Sequence, residues 1–102
     1  MHQQLDIKKI DENTQWEIGQ RIQNARIQKE LSGADLGADL EISANQVSRI
    51  ENGRAVCTIQ HMFILAQLLD VSVDYLLFGK EKIQNVTPQQ MESIKNLIAQ
   101  FT

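Results

Sequence analysis

An all-α fold is predicted for this chain from three observations. Its 102 residues include one proline and five glycines, too few to punctuate the many turns of a sheet protein. Val, Ile and Thr nowhere alternate with polar residues over a useful stretch, while apolar residues recur at three- and four-residue intervals. Ser or Thr repeatedly stands just ahead of such a run, with an acid or amide three positions on, which marks a helix start. The length suits one small domain with a core of about four to six helices.

Residues 1–13 mix charges without a helical period or a cap, and are expected to form an arm that Leu5, Ile7 and Ile10 dock on the core. Thr14-Gln-Trp-Glu17 then opens a first helix as a capping box, with Ile18, Ile22 and Ala25 as its inner stripe and an end near Glu30. Ser32 with Asp35 caps a second helix carrying Leu36 and Leu40. Ser43 with Gln46 caps a third carrying Val47 and Ile50. Both are too short to be stable alone and must pack on the rest of the chain. Asn52-Gly53-Arg54 forms a polar link in which Gly53 can supply a positive φ.

Thr58 caps the next helix, which runs to about Leu69. Met62, Phe63, Ile64, Leu65, Leu68 and Leu69 cover most of its circumference, more than one core stripe requires, so a second contact surface including Ile64 and Leu68 is expected. Ser72 caps a short helix that Gly79 closes. Residues 80–86 form a linker, so the main domain spans 14–79. Thr87-Pro88-Gln-Gln90 opens a last helix over 87–102, where Met91, Ile94, Leu97, Ile98 and Phe101 have the spacing of a helix–helix seam.

The net charge of −3 counts against an indiscriminate nucleic-acid binder, which would be basic. Charge placement offsets this. Residues 43–54 carry Arg49 and Arg54 against Glu51 alone, Arg21, Arg26 and Lys29 share the preceding segment, and Asp35, Asp39, Asp70 and Asp74 lie elsewhere. A small basic face on an acidic body can bind DNA with weak non-specific affinity. No apolar run is long enough to span a membrane and no export signal opens the chain. With a single cysteine there is no internal disulfide, so a cytoplasmic location is expected.

Two short capped helices joined by a tight turn over residues 32–53 are the layout of a helix-turn-helix, whose second helix enters the major groove. From Ile18-Gly19 to Phe78-Gly79 the chain resembles the Cro/repressor-type helix-turn-helix family, often named after xenobiotic response elements. The most specific match is Ser48-Arg49-Ile50-Glu51-Asn52-Gly53, and Tyr75-Leu-Leu-Phe-Gly79 is similar to the end of many members. The resemblance implies a five-helix repressor-like DNA-binding domain, here with an additional C-terminal helix. It implies a homodimer on a two-fold operator of double-stranded DNA.

By position, the resemblance puts Ala44, Asn45 and Arg49 in the base-facing slots, and Arg26 and Glu51 in a buried ion pair between the first and third helices. Three residues depart from the family: Gly33 where Gln is usual at the start of the second helix, Glu41 where Gly is usual at the turn, and Cys57 for a frequent Pro. Asn can pair with adenine and Arg with guanine through two hydrogen bonds, and the Ala44 methyl can touch a thymine methyl. Ser43, Asn52 and Arg54 suit phosphates, as do Gln46 and Ser48, and Gly33 would let a phosphate approach the backbone. The plainer alternative is a solvated face on a scaffold that no longer binds DNA.

Gly37 inside a helix costs roughly 1 kcal/mol relative to Ala, to be offset by close approach of the two motif helices. Cys57 is expected to be an inert, small apolar residue, and Trp16 a packing residue. His2 and His61 are too isolated for a metal site, no cofactor is implied, and no nucleophile–base arrangement supports an enzyme. The leading function is a sequence-specific transcriptional repressor. Its rival is a protein-interaction module, such as an antitoxin or a phage-type regulator that acts by binding a partner or antagonist protein. For the dimer, Ile64, Leu68 and the seam of Met91, Ile94, Leu97, Ile98 and Phe101 are the expected contacts.

Overall fold

Every helix among the described residues begins on a side chain that accepts a hydrogen bond from the backbone N–H three positions on. The computed structural model describes residues 7–79. It contains α1 (Glu12–Gln28), α2 (Gly33–Leu40), α3 (Ala44–Glu51), α4 (Ile59–Leu69) and α5 (Val73–Phe78), as the all-α reading anticipates. Ser32, Ser43, Thr58 and Ser72 cap α2 to α5. Leu5, the linker 80–86 and the helix expected over 87–102, with Met91, Ile94, Leu97, Ile98 and Phe101, lie outside the described residues.

The start of α1 differs from expectation. Asp11, not Thr14, is its cap, and the Asp11 carboxylate accepts from the Thr14 N–H at 2.8 Å. A carboxylate is favoured over a hydroxyl here because its charge also meets the positive end of the helix dipole. That bond from Thr14 lowers the Asp11 pKa below the ordinary carboxylate value. Glu17, released from the expected box, accepts instead from the Asn13 side chain at 2.7 Å. The helix also stops at Gln28, before Glu30 turns left-handed at φ 59°. On α2 the full box forms, with Ser32 and Asp35 exchanging bonds of 3.0 Å, and the bond from Ser32 lowers the Asp35 pKa. On α3 only the Ser43 half forms. On α4 the return bond comes from His61, whose Nδ1 accepts from the Thr58 N–H at 3.5 Å.

Each short helix buries one stripe, and the stripes meet in one core. Ile22, Leu36, Leu65 and Leu76, one from each of α1, α2, α4 and α5, are fully enclosed, with Val47 and Ile50 of α3 beside them. The long α1 is the platform, packing on α3, α4 and α5, while α2 packs on α3 and α4. Val71, in the α4–α5 turn, joins this core although it belongs to no helical stripe.

Two expected surfaces are redistributed. Ile64 and Leu68 are half-buried and pack against the core, so they are not the free face of α4; its exposed apolar residues are Ile59 and Phe63. Helical spacing puts Leu68 and Ile64 on one flank of the buried Met62, Leu65 and Leu69 and puts Ile59 and Phe63 on the other, so which flank is covered is set by how the neighbouring helices dock. Ile7 and Ile10, expected to dock the arm, are exposed. No helix among the described residues is long and apolar enough to cross a membrane.

Gly37 explains how α2 and α3 approach so closely. A Cβ there would stand 2.6 Å from the Ile42 carbonyl oxygen and 3.3 Å from the Ser43 carbonyl carbon, both rigid backbone. The missing side chain therefore admits the turn, which the Ile42 N–H closes on the Gly37 carbonyl at 2.9 Å. Gly37→Ala is expected to lower stability by about 1–3 kcal/mol despite the better helix propensity of Ala. Denaturant unfolding followed by circular dichroism checks this, and a stabilised variant would contradict the close approach.

Candidate nucleic-acid interface

α3 has two unlike sides. Val47, Ile50 and Glu51 face the core, and Asn45 and Arg49, one turn apart, point the opposite way. Ala44, Gln46 and Ser48 flank them, and all five of these outward residues are exposed. Arg49 is only loosely engaged: its guanidinium donates to the Gln46 side-chain oxygen and to the Arg54 carbonyl, both at 3.4 Å and both exposed. Bonds of that length in water hold a side chain weakly. Among the described residues, neither Arg49 nor Arg54 has an ion-pair partner.

The end of α3 folds into a Schellman turn. The Arg54 N–H reaches the Arg49 carbonyl at 2.7 Å and the Gly53 N–H reaches the Ile50 carbonyl at 3.1 Å. Gly53 takes φ +72°, the left-handed conformation this turn needs. The turn carries Arg54 back beside Arg49, so two guanidinium-bearing residues leave the same corner. Asn52 closes that corner, donating from its side chain to the Ser48 carbonyl at 2.8 Å.

The remaining sequence-predicted contacts sit around this surface. The Ser43 oxygen accepts from the Gln46 N–H at 3.1 Å, which leaves its own O–H as a donor. At Gly33 an added Cβ would meet only a Val47 methyl at 4.0 Å, so packing does not demand glycine there. The turn between α2 and α3 keeps its shape with Glu41 in place of glycine: Glu41 adopts φ +59°, a conformation that costs a side-chain-bearing residue roughly 1–2 kcal/mol.

Behind α3 lies a buried polar network. Arg26 Nε donates to Glu51 Oε2 at 2.7 Å and Nη2 to Oε1 at 3.1 Å, a two-pronged pair that raises the Arg26 pKa. Gln23 adds a third donor to Oε1 at 3.3 Å, and Arg26 Nη1 also donates to the Leu31 carbonyl at 2.8 Å. No buried side-chain nitrogen or oxygen among the described residues is left without a partner.

Arg21 and Arg26, which share a basic segment with Lys29, are both engaged within the domain, Arg26 in the ion pair that the family resemblance implies. Arg21 donates to the Leu76 and Leu77 carbonyls at 2.9 and 3.0 Å, closing the end of α5, and Arg26 serves Glu51. The part-buried carbonyls that claim the Arg21 guanidinium lie 55 and 56 residues away, which its neighbours in sequence do not reveal. Gln15 and Gln20, which no sequence motif marks, hold the Gly53 and Glu51 carbonyls with their side-chain amides at 2.9 and 3.0 Å. Glutamine on a helix face carries no pattern that signals such a role. At Cys57, burial pushes the thiol pKa up to about 11, so it stays protonated and unreactive at neutral pH.

No curated protein matches the chain. Among solved structures, it is similar to the P22 c2 repressor protein, seen in a crystal structure with synthetic operator 9T in the presence of Tl+. The similarity has a TM-score of 0.58 and 28% sequence identity, and covers 62% of this chain and 96% of that one. A family model described as helix-turn-helix matches residues 22–76. That match takes in α2 to α4, most of α5 and the end of α1, more than half of the residues, and the chain belongs to the helix-turn-helix family, in its Cro/repressor type.

Proposed function

We propose that this DNA-binding transcriptional regulator acts as a dimeric repressor, inserting α3 into the major groove at each half of a two-fold operator. The observation that carries the reading is the outer side of α3. Asn45 and Arg49 stand together, exposed, with Arg49 loosely held and no acid paired with it among the described residues. Arg49 would pair with guanine, Asn45 with adenine, and Ala44 would touch a thymine methyl. Gly33, Ser43, Gln46, Ser48, Asn52 and Arg54 would meet phosphates and fix the register.

An eight-residue recognition helix reads only a few base pairs, so useful specificity calls for two copies with their helices roughly 34 Å apart. The seam of Met91, Ile94, Leu97, Ile98 and Phe101 is the proposed dimer contact. Ile64 and Leu68 are weaker candidates than the exposed Ile59 and Phe63 of the same helix. Bound to overlapping promoter DNA, such a dimer would exclude the polymerase.

The test begins with duplexes selected from random sequence. At physiological salt the protein should bind a selected duplex far more tightly than a scrambled one, and equal affinity would end the reading. Because few cations face outward, scrambled DNA should bind weakly and be lost readily with added salt. Sedimentation of the intact chain and of one truncated after Lys82 tests assembly. A dimer that truncation turns into a monomer is expected; two monomers at micromolar concentration would refute it.

A further inference from the structure

The family match begins at residue 22, ten residues after α1 starts at Glu12. The unmatched first half of α1 is nevertheless joined to the far end of the recognition helix. Gly19 lies so close to α3 that a Cβ there would collide with the Ile50 and Glu51 carbonyl oxygens. On either side, Gln20 Nε2 donates to the Glu51 carbonyl at 3.0 Å and Gln15 Nε2 to the Gly53 carbonyl at 2.9 Å. Gly53 in turn rests on Trp16, whose Cα would stand 2.7 Å from an added Cβ. These contacts all fall on the last residues of α3 and the turn that presents Arg54.

We propose that Gln15 and Gln20 are positioning residues for DNA recognition, holding the C-terminal end of α3 and its exit turn so that Arg49 and Arg54 meet the groove at a fixed angle. The proposal rests on the DNA-reading role of α3. Its physical basis is leverage. The N-terminal end of α3 is pinned where Gly37 admits the Ile42–Ala44 backbone. A helix of this length extends about 12 Å. A tilt of about 10° about that pivot would move its far end by about 2 Å, more than a hydrogen bond to a base edge tolerates. Buried Ile18, Ile22 and Ala25 fix α1 to the core, so its amides are a firm reference for the moving end. The Glu51 carbonyl lacks an intrahelical partner, as the last carbonyls of any helix do, and the Gln20 amide supplies one.

Gln15→Ala and Gln20→Ala, singly and together, test this against Gln67→Ala. Gln67 makes a similar amide-to-carbonyl bond, to Phe63 at 3.1 Å, but on α4. Three quantities are measured: the thermal midpoint, hydrogen exchange of the Gly53 and Arg54 amides in the free protein, and the ratio of affinities for selected and scrambled duplex. The expected single variants melt within a few degrees of the control. Their Gly53 and Arg54 amides exchange at least about tenfold faster, and their affinity ratio falls about tenfold while scrambled-duplex binding stays unchanged. Unchanged exchange at Gly53 and Arg54 would overturn the proposal without any DNA present. Faster exchange with an unchanged affinity ratio would also overturn it, leaving the amides a purely structural role. Failure of the wild-type protein to discriminate the duplexes would instead strike at the DNA-reading role itself. Should the double variant not fold, the single variants carry the test.

Discussion

Arg26→Ala is expected to lower the stability of the free protein by about 3–5 kcal/mol, the largest effect of any single substitution considered. The variant leaves Glu51, only 2% exposed, with Gln23 at 3.3 Å as its remaining side-chain donor. For a domain of this size such a loss lowers the thermal midpoint on the order of 20 °C. Glu51→Ala should be destabilising but milder. The stranded Arg26 side chain is 15% exposed and keeps its bond to the Leu31 carbonyl at 2.8 Å. The double change Arg26→Met with Glu51→Leu should recover much of the loss, because removing both charges strands neither. Thermal unfolding without DNA measures all three. Equal midpoints for wild type and Arg26→Ala would show that the pair has no part in holding α1 against α3.

Arg49→Ala and Arg54→Ala should both weaken operator binding, in distinguishable ways. If Arg49 pairs with a guanine, its loss relaxes preference at one base pair per half-site and costs roughly 1–3 kcal/mol there. If Arg54 meets a phosphate, its loss weakens selected and scrambled duplex alike and reduces the salt slope by about one. The structure brings the two close, since the Arg49 guanidinium faces the Arg54 carbonyl at 3.4 Å. The comparison must therefore be made position by position, with binding profiles over single-base variants of the selected site. The same uniform loss in both variants would make Arg49 a phosphate contact.

The order of the helices and four of their caps were legible in the sequence. A cap and an apolar stripe are local: Ser32, Ser43, Thr58 and Ser72 act on amides three positions away, and Leu36, Leu40, Val47 and Ile50 share faces through helical spacing alone. The outward placement of Asn45 and Arg49 follows from the same spacing, and Glu51 as partner of Arg26 was legible only through family resemblance. The first cap is ambiguous in the sequence because Thr14-Gln-Trp-Glu17 and Asp11 through Thr14 offer competing local starts. The carboxylate wins through its charge at the helix end.

Tertiary structure alone decided which charges were available and which apolar residues were free. Arg21 looks like an available cation in the sequence, but the Leu76 and Leu77 carbonyls claim it across separations of 55 and 56 residues. Ile64 and Leu68 look like a spare face, yet the docking of the neighbouring helices half-covers them and leaves Ile59 and Phe63 outside. The amides of Gln15 and Gln20 take their roles from where α3 ends. Helical period fixes which side chains share a face, because backbone geometry is local. Whether that face meets water, a neighbouring carbonyl or another helix depends on how the helices dock, and no local pattern encodes it.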